Sequence, residues 1–460
     1  MNSELMDFSA LSHAIGARRV SNSQYSGFSS VAIDSRNVKE GTLFFALKGN
    51  VSDGHSFVGA AFNAGARAAV VESSKLDAFD LINIAQKTGK ELIVVENTLK
   101  ALQDSAKVYL EMFPKLIKAG LTGSSGKTTT KEITAAIISN EKNTIMNQGN
   151  LNSETGLPLS VFEVRSFHEA GVFELGMNRK GEISEIANVL KPNIATITNI
   201  GTSHIGMIGS KHEILNEKKN IFNYLAGDDI ALIPENDEYA KELANGVNAR
   251  VKFYGADSFD ELEGVKSLGL DGTELVWAGE KIRFALPGKH NLDNALAAIA
   301  IAKEISISSG AIKKGLESVK PLFGRLEILK GQITVIRDCY NANPESTAKA
   351  IEFCDSLEWQ GRKIYVIGEM LELGAASGDA HAKIGASLSA SKADGIFLFG
   401  KETEAAASYL ASNGGTFFHT NNMEELIPAL KNYVKQGDIV LLKGSRGCAL
   451  ERITETGGLL

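Results

Sequence analysis

Short, almost wholly apolar runs alternate with longer amphipathic stretches along nearly the whole chain. The runs are ARAAVVE (66–72), KELIVVE (90–96), KLIKAGLTG (115–123), GVFELG (171–176), NIATITNIG (193–201), DIALI (229–233), KIYVIGE (363–369), GIFLFG (395–400) and DIVLLKG (438–444). They predict strands, and their alternation with helix-like stretches predicts an α/β fold with largely parallel sheets. No internal repeat is visible. The pattern breaks between Glu96 and Asp104, where one α/β unit ends and a helix leads into a glycine-rich loop. It breaks again near Lys320-Pro321, where a helix predicted over about 311–319 meets a proline. Three units are expected, 1–98, 99–320 and 321–460.

Composition narrows the class. A chain of 460 residues is too long for one ordinary core, and its 22% charged and 43% hydrophobic residues are those of a globular protein. The 45 glycines suit many tight turns between strands and helices. Net charge is −7, without a block of Lys and Arg, which argues against nucleic acid as a partner. Cys339, Cys354 and Cys448 are widely spaced and lack metal-site spacing, so free thiols in a reducing compartment are expected. The opening MNSELMDFSALSHAIGA has no basic segment followed by an apolar one, as a secretory signal requires. No apolar run is long enough to span a membrane. A cytoplasmic protein is expected.

The stretch GLTGSSGKTTTKEI (120–133) carries the first chemistry. A strand-like run precedes it, and Ile133, Ala136 and Ile137 follow at helical spacing. In that context backbone N–H groups and the helix N-terminus would face an anion, with Gly123, Ser124, Ser125 and Gly126 forming the nucleotide-binding loop. Lys127 would reach terminal phosphates, the Thr128 hydroxyl could ligate Mg²⁺, and Thr129 would lie beside it. Leu121 stands where the longest form of this motif has its first glycine. The reading is a loop that binds ATP or a similar nucleotide.

Phosphoryl transfer needs cations against the terminal phosphates. Glu174 closes an apolar run that would end beside the loop; such a residue reads equally as a surface strand end or a metal ligand. The run 193–201 releases Asn199, Gly201 and then His204 at the same edge. In SKHEILNEKKNIFNYL (210–225), Ser210 and Glu213 have capping-box spacing. Ile214, Leu215, Ile221, Phe222 and Leu225 form one apolar stripe with Lys218 near its centre and Lys219 at its edge. Lys218 therefore either snorkels outward or is a buried lysine near metal and phosphate.

Together these motifs resemble the Mur ligase family, ATP-dependent amide-forming enzymes of peptidoglycan synthesis. In order they are TGSSGKTTTK, NQGNLNSETGLPLSV (147–161), FELGMNRKGEI (173–183), TNIGTSHIG (198–206), NEKKNIF (216–222), LPGKHNLDNALAAIA (286–300), FGRLEI (323–328) and DCYNANPES (338–346). VAIDSRNVKEGTLFFALKG with DGHSF (31–57), VIGEMLELG (366–374) and LLKGSRGCALE (441–451) resemble the branch that joins D-alanyl-D-alanine to UDP-N-acetylmuramoyl-tripeptide. The D-N-P-R motif of the branch adding a diamino acid, and the GTNGKGS-like loop of the folate-polyglutamate branch, are absent.

The resemblance implies a three-domain α/β architecture with a central P-loop ATPase domain and a Rossmann-like C-terminal domain. It implies ATP and Mg²⁺ as cofactors, an acyl-phosphate intermediate, and one chain as the working unit. Thr128, Glu174, His204 and Lys218 are implied metal ligands, Lys218 as a carbamate. Asn294, with His290 and Asn291 nearby, is implied at the adenine; Asn291 also reads as a helix N-cap. Arg325 is implied at the transferring phosphate and Asp338 at the ribose or domain contact, with Tyr340 and Asn343 near. Cys339 stands where relatives more often have serine. Ser35, Arg36, Asp53 and His55 are implied at the uridine nucleotide, and Asn152, Ser153, Glu154 and Thr155 along the peptide. Lys443, Ser445 and Arg446 read as dipeptide contacts or as a surface turn. Two other readings remain: a relative adding one amino acid, and a nucleotide-driven switch.

Overall fold

The structure, a computed structural model, describes residues 4–20, 23–456 and 458–459. At its centre is a six-stranded, all-parallel sheet in the order Arg250–Tyr254, Ile230–Pro234, Ile194–Ile197, Ile117–Thr122, Ala170–Glu174 and Thr144–Met146. The inner strands are buried on both faces, as crossover helices require. Lys127–Ile138, Lys289–Glu304 and Ser309–Ser318 pack together over one face. Thr98–Glu111, Glu182–Leu190 and Lys211–Lys219 cover the other. Register places Leu121 opposite Glu174 and Thr122 opposite Ile197, so three strands release their chains at one edge of the sheet.

Two smaller α/β units flank this sheet. The first carries strands Arg18–Val20, Glu91–Val95, Ala68–Glu72, Thr42–Phe45 and Ser30–Ala32 in that order, parallel except for the first pair. Helix Thr98–Glu111 follows it and buries Ala101, Leu102, Ala106 and Tyr109 in one continuous core with both Phe28 and Phe162. The last unit orders Glu327–Lys330, Thr334–Asp338, Ile439–Lys443, Lys363–Gly368, Gly395–Phe399 and Phe418–Thr420, again parallel after the first pair. Its final strand inserts between earlier ones and sets Lys443 beside Asp338. That reversal of strand order opens a crevice at the strands' C-terminal ends, as in Rossmann-type sheets.

All nine apolar runs form strands, and the predicted helix near 311–319 is Ser309–Ser318. Local readings needed three corrections. Ser210 caps its helix by accepting the Glu213 N–H at 3.2 Å, but the Glu213 carboxylate pairs with Lys180 instead of closing a capping box. Helix Lys289–Glu304 starts after Gly288, so Asn291 lies inside the first turn, where its amide donates to the Pro287 carbonyl at 2.8 Å. A three-stranded antiparallel sheet, Leu262–Ser267, Thr273–Trp277 and Glu280–Phe284, went unrecognised.

Candidate active site

Loop 123–126 turns sharply from strand Ile117–Thr122 into helix Lys127–Ile138. Gly123 and Gly126 have φ of +155° and +82°, and a Cβ at Gly126 would lie 2.2 Å from Asn294 Oδ1. Glycine is therefore required at 126 by both backbone and space. The chain leaving the neighbouring strand braces the loop. Asn199 accepts the Ser124 N–H on its carbonyl (3.0 Å) and the Ser125 N–H on its side chain (2.9 Å), while Thr198 Oγ1 donates to Ser125 O (2.6 Å).

Two lysines converge on one acceptor. Lys127 Nζ and Lys218 Nζ donate to the Gly123 carbonyl at 2.9 and 3.0 Å. Lys218 is only 1% exposed, amid the buried stripe of Ile214, Leu215, Ile221, Phe222 and Leu225, so it does not snorkel. Burial, reinforced by the Lys127 ammonium, pushes the Lys218 pKa well below its ordinary value. Burial also lowers Lys127, against the pull of Glu174. Glu174, 2% exposed, accepts the Asn152 amide on Oε1 at 2.6 Å, and its other oxygen is buried without a partner.

The last unit closes over this loop. Arg325 stacks 4.3 Å above the Tyr340 ring and donates to Thr128 Oγ1 at 3.0 Å. Asn343 donates to Ser125 Oγ (3.0 Å) and Ser203 Oγ (2.5 Å) while its own oxygen caps helix Pro344–Ser356. Both Glu345 oxygens accept from Thr202, its N–H at 3.1 Å and its hydroxyl at 2.9 Å. His204, in the left-handed region at φ +63°, sets Nδ1 2.7 Å from Glu372 Oε2 without hydrogen-bond alignment. The imidazole holds the Glu372 carboxyl below its ordinary pKa. Gly206 and Gly374 touch backbone to backbone there.

A cleft of about 400 Å³ runs between the central and last units. Ser124, Ser125, Gly126, Lys127, Thr128 and Thr129 line its floor, and Arg325, Asp338 and Tyr340 its roof. Glu174, Asn152 and His204 line it too. So do His290, Asn291 and Asn294; Asn294 accepts from Thr130 and donates to Asn291, both at 3.3 Å. Burial lowers the His290 pKa, favouring a neutral ring. Lys443, expected at the dipeptide, also lines this cleft, paired with Asp338 at 2.9 Å. Ser445 lies outside it and accepts the Leu371 N–H at 2.9 Å, while Arg446 pairs with Glu451 at 2.5 Å.

The first-unit candidates lie elsewhere. A second cavity of about 420 Å³ is lined by Asp34 and Asn37 on one side and by Met146, Gln148 and Leu151 on the other, beside Ser35 and Arg36. Arg36 forks onto Asp34, whose pKa falls to about 2. His55 is buried; its Nε2 accepts the Glu72 N–H at 2.9 Å, so Nδ1 donates to Asp53 at 2.6 Å. In this structure His55 braces its own loop. Ser153 accepts the Gly156 N–H at 3.2 Å, Thr155 lies 3.3 Å from it, and Glu154 pairs with Arg179.

A divalent cation fits the cleft on two grounds: the Glu174 oxygen is buried without a partner, and Thr128 lines the same cleft with a hydroxyl oxygen. Among the described residues no three His, Cys, Asp or Glu form a metal cage. Mg²⁺ commonly relies on one or two carboxylates plus substrate phosphates. Sequence reading missed Glu345 and Glu372, which meet Thr202 and His204 only through folding. The three cysteines are free and buried, the Cys339 thiol pushed up to about 12 by its burial.

Comparison with known proteins agrees with this geometry. Residues 28–110 match the Mur ligase family catalytic domain, 121–302 the Mur ligase middle domain and 324–446 the Mur ligase glutamate ligase domain. The UDP-N-acetylmuramoyl-tripeptide–D-alanyl-D-alanine ligase of Treponema pallidum is 40% identical, with 98% of each chain covered. Its Bacillus subtilis counterpart is 37% identical, with 92% of each covered. MurF from Acinetobacter baumannii superposes with a TM-score of 0.87 at 30% identity, covering 97% of each chain. MurF ligase from Thermotoga maritima in complex with ADP gives 0.79 at 27% identity, over 93% of this chain and 96% of that one. Matched in chain order across all three units, and nearly end to end by its relatives, the chain belongs to the Mur ligase family.

Proposed function

We propose that the protein joins D-alanyl-D-alanine to UDP-N-acetylmuramoyl-tripeptide with ATP, giving the pentapeptide, ADP and phosphate. The observation that carries this reading is the cleft in which the phosphate loop, Glu174 and Arg325 meet, in a chain whose relatives of near-equal length bear that activity in their names. A carboxylate oxygen is a poor leaving group, so ATP first converts the tripeptide's terminal carboxylate to an acyl phosphate. The dipeptide's amine then displaces phosphate.

The chain's own groups chiefly align three ligands and offset charge. Residues 1–98 would hold the UDP end, with Ser35, Arg36, Asp53 and His55 near it. Residues 99–320 would hold ATP and the peptide, the latter along Asn152–Thr155. Residues 321–460 would hold the dipeptide, with Ser445 and Arg446 as candidates. Lys127 meets the terminal phosphates, Asn294 with His290 and Asn291 faces the adenine, and Asp338 faces the ribose. Arg325, held over the loop at Thr128 Oγ1, reaches the transferring phosphate, and the closed last unit excludes water from the acyl phosphate.

Mg²⁺, held by Thr128 and Glu174 with His204 and Lys218 near, supplies positive charge against the phosphates. Lys218 suits carbamate formation, because a lysine pushed towards its neutral form can attack CO₂, releasing one proton and leaving an anion. All these groups come from one chain, which supports a monomer as the working unit, and buried free thiols suit the cytoplasm.

Phosphate release from ATP is the test, with the UDP-tripeptide and the dipeptide added singly and together. Release that needs both, with a UDP-linked pentapeptide formed, supports the reading. Release with neither indicates a switch; release with one amino acid replacing the dipeptide indicates a sister ligase.

A further inference from the structure

Lys131 lies on the phosphate-loop helix four residues beyond Lys127 and is wholly buried, at 0% exposure. Its ammonium donates to the Asn147 carbonyl at 2.6 Å, and the nearest carboxylate is Glu132 at 3.3 Å. Removing an ammonium group from water costs several kcal/mol unless its partners compensate, and methionine would fill much the same length without that cost. No step described above uses this charge.

The Lys131 charge is directed at the peptide of Asn147, whose side chain grips Glu174. Asn147 follows strand Thr144–Met146, whose pairing stops at Met146 opposite Val172. Beyond that register the Asn147 side chain replaces the ladder. Its oxygen accepts the Glu174 N–H at 2.9 Å, and its amide donates to the carbonyls of Glu174 (3.0 Å) and Leu151 (2.8 Å). Asn147 is itself wholly buried. Glu174 is thus gripped on its main chain by Asn147 and on Oε1 by Asn152, leaving the other oxygen unpartnered. We infer that Lys131 is a positioning residue for Glu174: by fixing the Asn147 peptide it sets the direction in which the free carboxylate oxygen meets the nucleotide's divalent cation. The inference rests on the reading of Glu174 as a Mg²⁺-holding carboxylate.

The test compares wild type with Lys131→Met and Lys131→Arg in the full chain. ADP affinity is measured by calorimetry with Mg²⁺ and with EDTA, alongside melting temperature. Groups behind a metal ligand typically change metal affinity about 10–100-fold when removed. Lys131→Met should hold ADP in EDTA within about twofold, yet lose about tenfold or more of the Mg²⁺-dependent gain. Lys131→Arg, which keeps the charge, should retain that gain within about threefold. Lys131→Gln is the second neutral variant if methionine is not tolerated, with the same signature expected. A neutral variant that lowers only the melting temperature, or weakens ADP equally with and without Mg²⁺, overturns the inference. A wild type lacking any Mg²⁺-dependent gain removes the reading of Glu174, and this inference with it.

Discussion

Asn343 does two jobs that one substitution can separate. Its oxygen accepts the Ser346 N–H at 2.8 Å and caps helix Pro344–Ser356. Its amide donates across the domain boundary to Ser125 Oγ and Ser203 Oγ at 3.0 and 2.5 Å. Serine caps a helix about as well as asparagine but is too short to reach the two hydroxyls. Asn343→Ser should therefore leave stability within about 0.5 kcal/mol, since Ser and Asn rank close as caps. The two lost bonds are each worth about 0.5–1.5 kcal/mol, or about 1–3 kcal/mol together, and they hold the last unit on the phosphate loop without contributing to the fold of either unit. At about 1.4 kcal/mol per tenfold, kcat/KM for ATP should fall roughly 5- to 150-fold. Asn343→Ala should add a loss of stability of about 1 kcal/mol from the missing cap. Coupled ADP-release assays and urea melts read the two effects. If Asn343→Ser keeps kcat/KM, or if activity follows stability across both variants, the domain-spanning role is refuted.

Further predictions concern the cleft and one outlying pair. Arg325→Ala should lower kcat by about a hundredfold, the scale of a lost transition-state donor, with ADP affinity changed far less; equal losses argue against a transition-state role. Lys218→Ala should lose activity and regain part of it in bicarbonate or short carboxylates, and recovery no better than in chloride counts against the carbamate. Gly126→Ala would force an alanine to φ +82° and press Asn294. At about 1–2 kcal/mol for the left-handed backbone alone, KM for ATP should rise about tenfold or more; an unchanged KM refutes the close fit. The fifth is a pH effect at Asp53. Burial raises its carboxyl pKa, but the His55 and Lys75 contacts outweigh this and bring it to about 2. A depressed folded pKa gives stability that is complete above the unfolded value and fades as pH falls from about 4 towards 2. Asp53→Asn should thus be less stable than wild type at pH 7 and closer to it at pH 3.5 in urea melts; an unchanged gap refutes the pairing.

Legibility followed burial. Strands such as Val440 to Leu442 are apolar at consecutive positions because helices cover both faces, and such runs stand out. Thr273–Trp277 alternates buried and half-buried positions, as an antiparallel strand with one solvated face does, and a search for continuous runs passed over it. The loop, Glu174 and Lys218 are readable because they respectively follow a strand, close one and interrupt an apolar stripe. The partners that orient them are not. Asn147 lies 27 residues from Glu174, and Thr202 lies 143 from Glu345, distances that only the fold closes. The N-cap reading of Asn291 went astray because the helix begins at Lys289, directly after Gly288 in a conformation suited to glycine.

The meeting of Gly206 with Gly374 has a bearing on turnover. Two bare backbones in contact have no side chains to interlock, and a backbone bond, from the Gly206 N–H to the Glu372 carbonyl at 3.1 Å, joins the two segments, so this point can act as a pivot. The polar grips of Arg325, Asn343 and Glu345 surround it and are individually modest. An enzyme that must admit three ligands and release three products in each cycle gains from a joint that reopens readily. A bulky residue at either glycine would wedge the lid ajar, slowing catalysis while sparing the fold of each half.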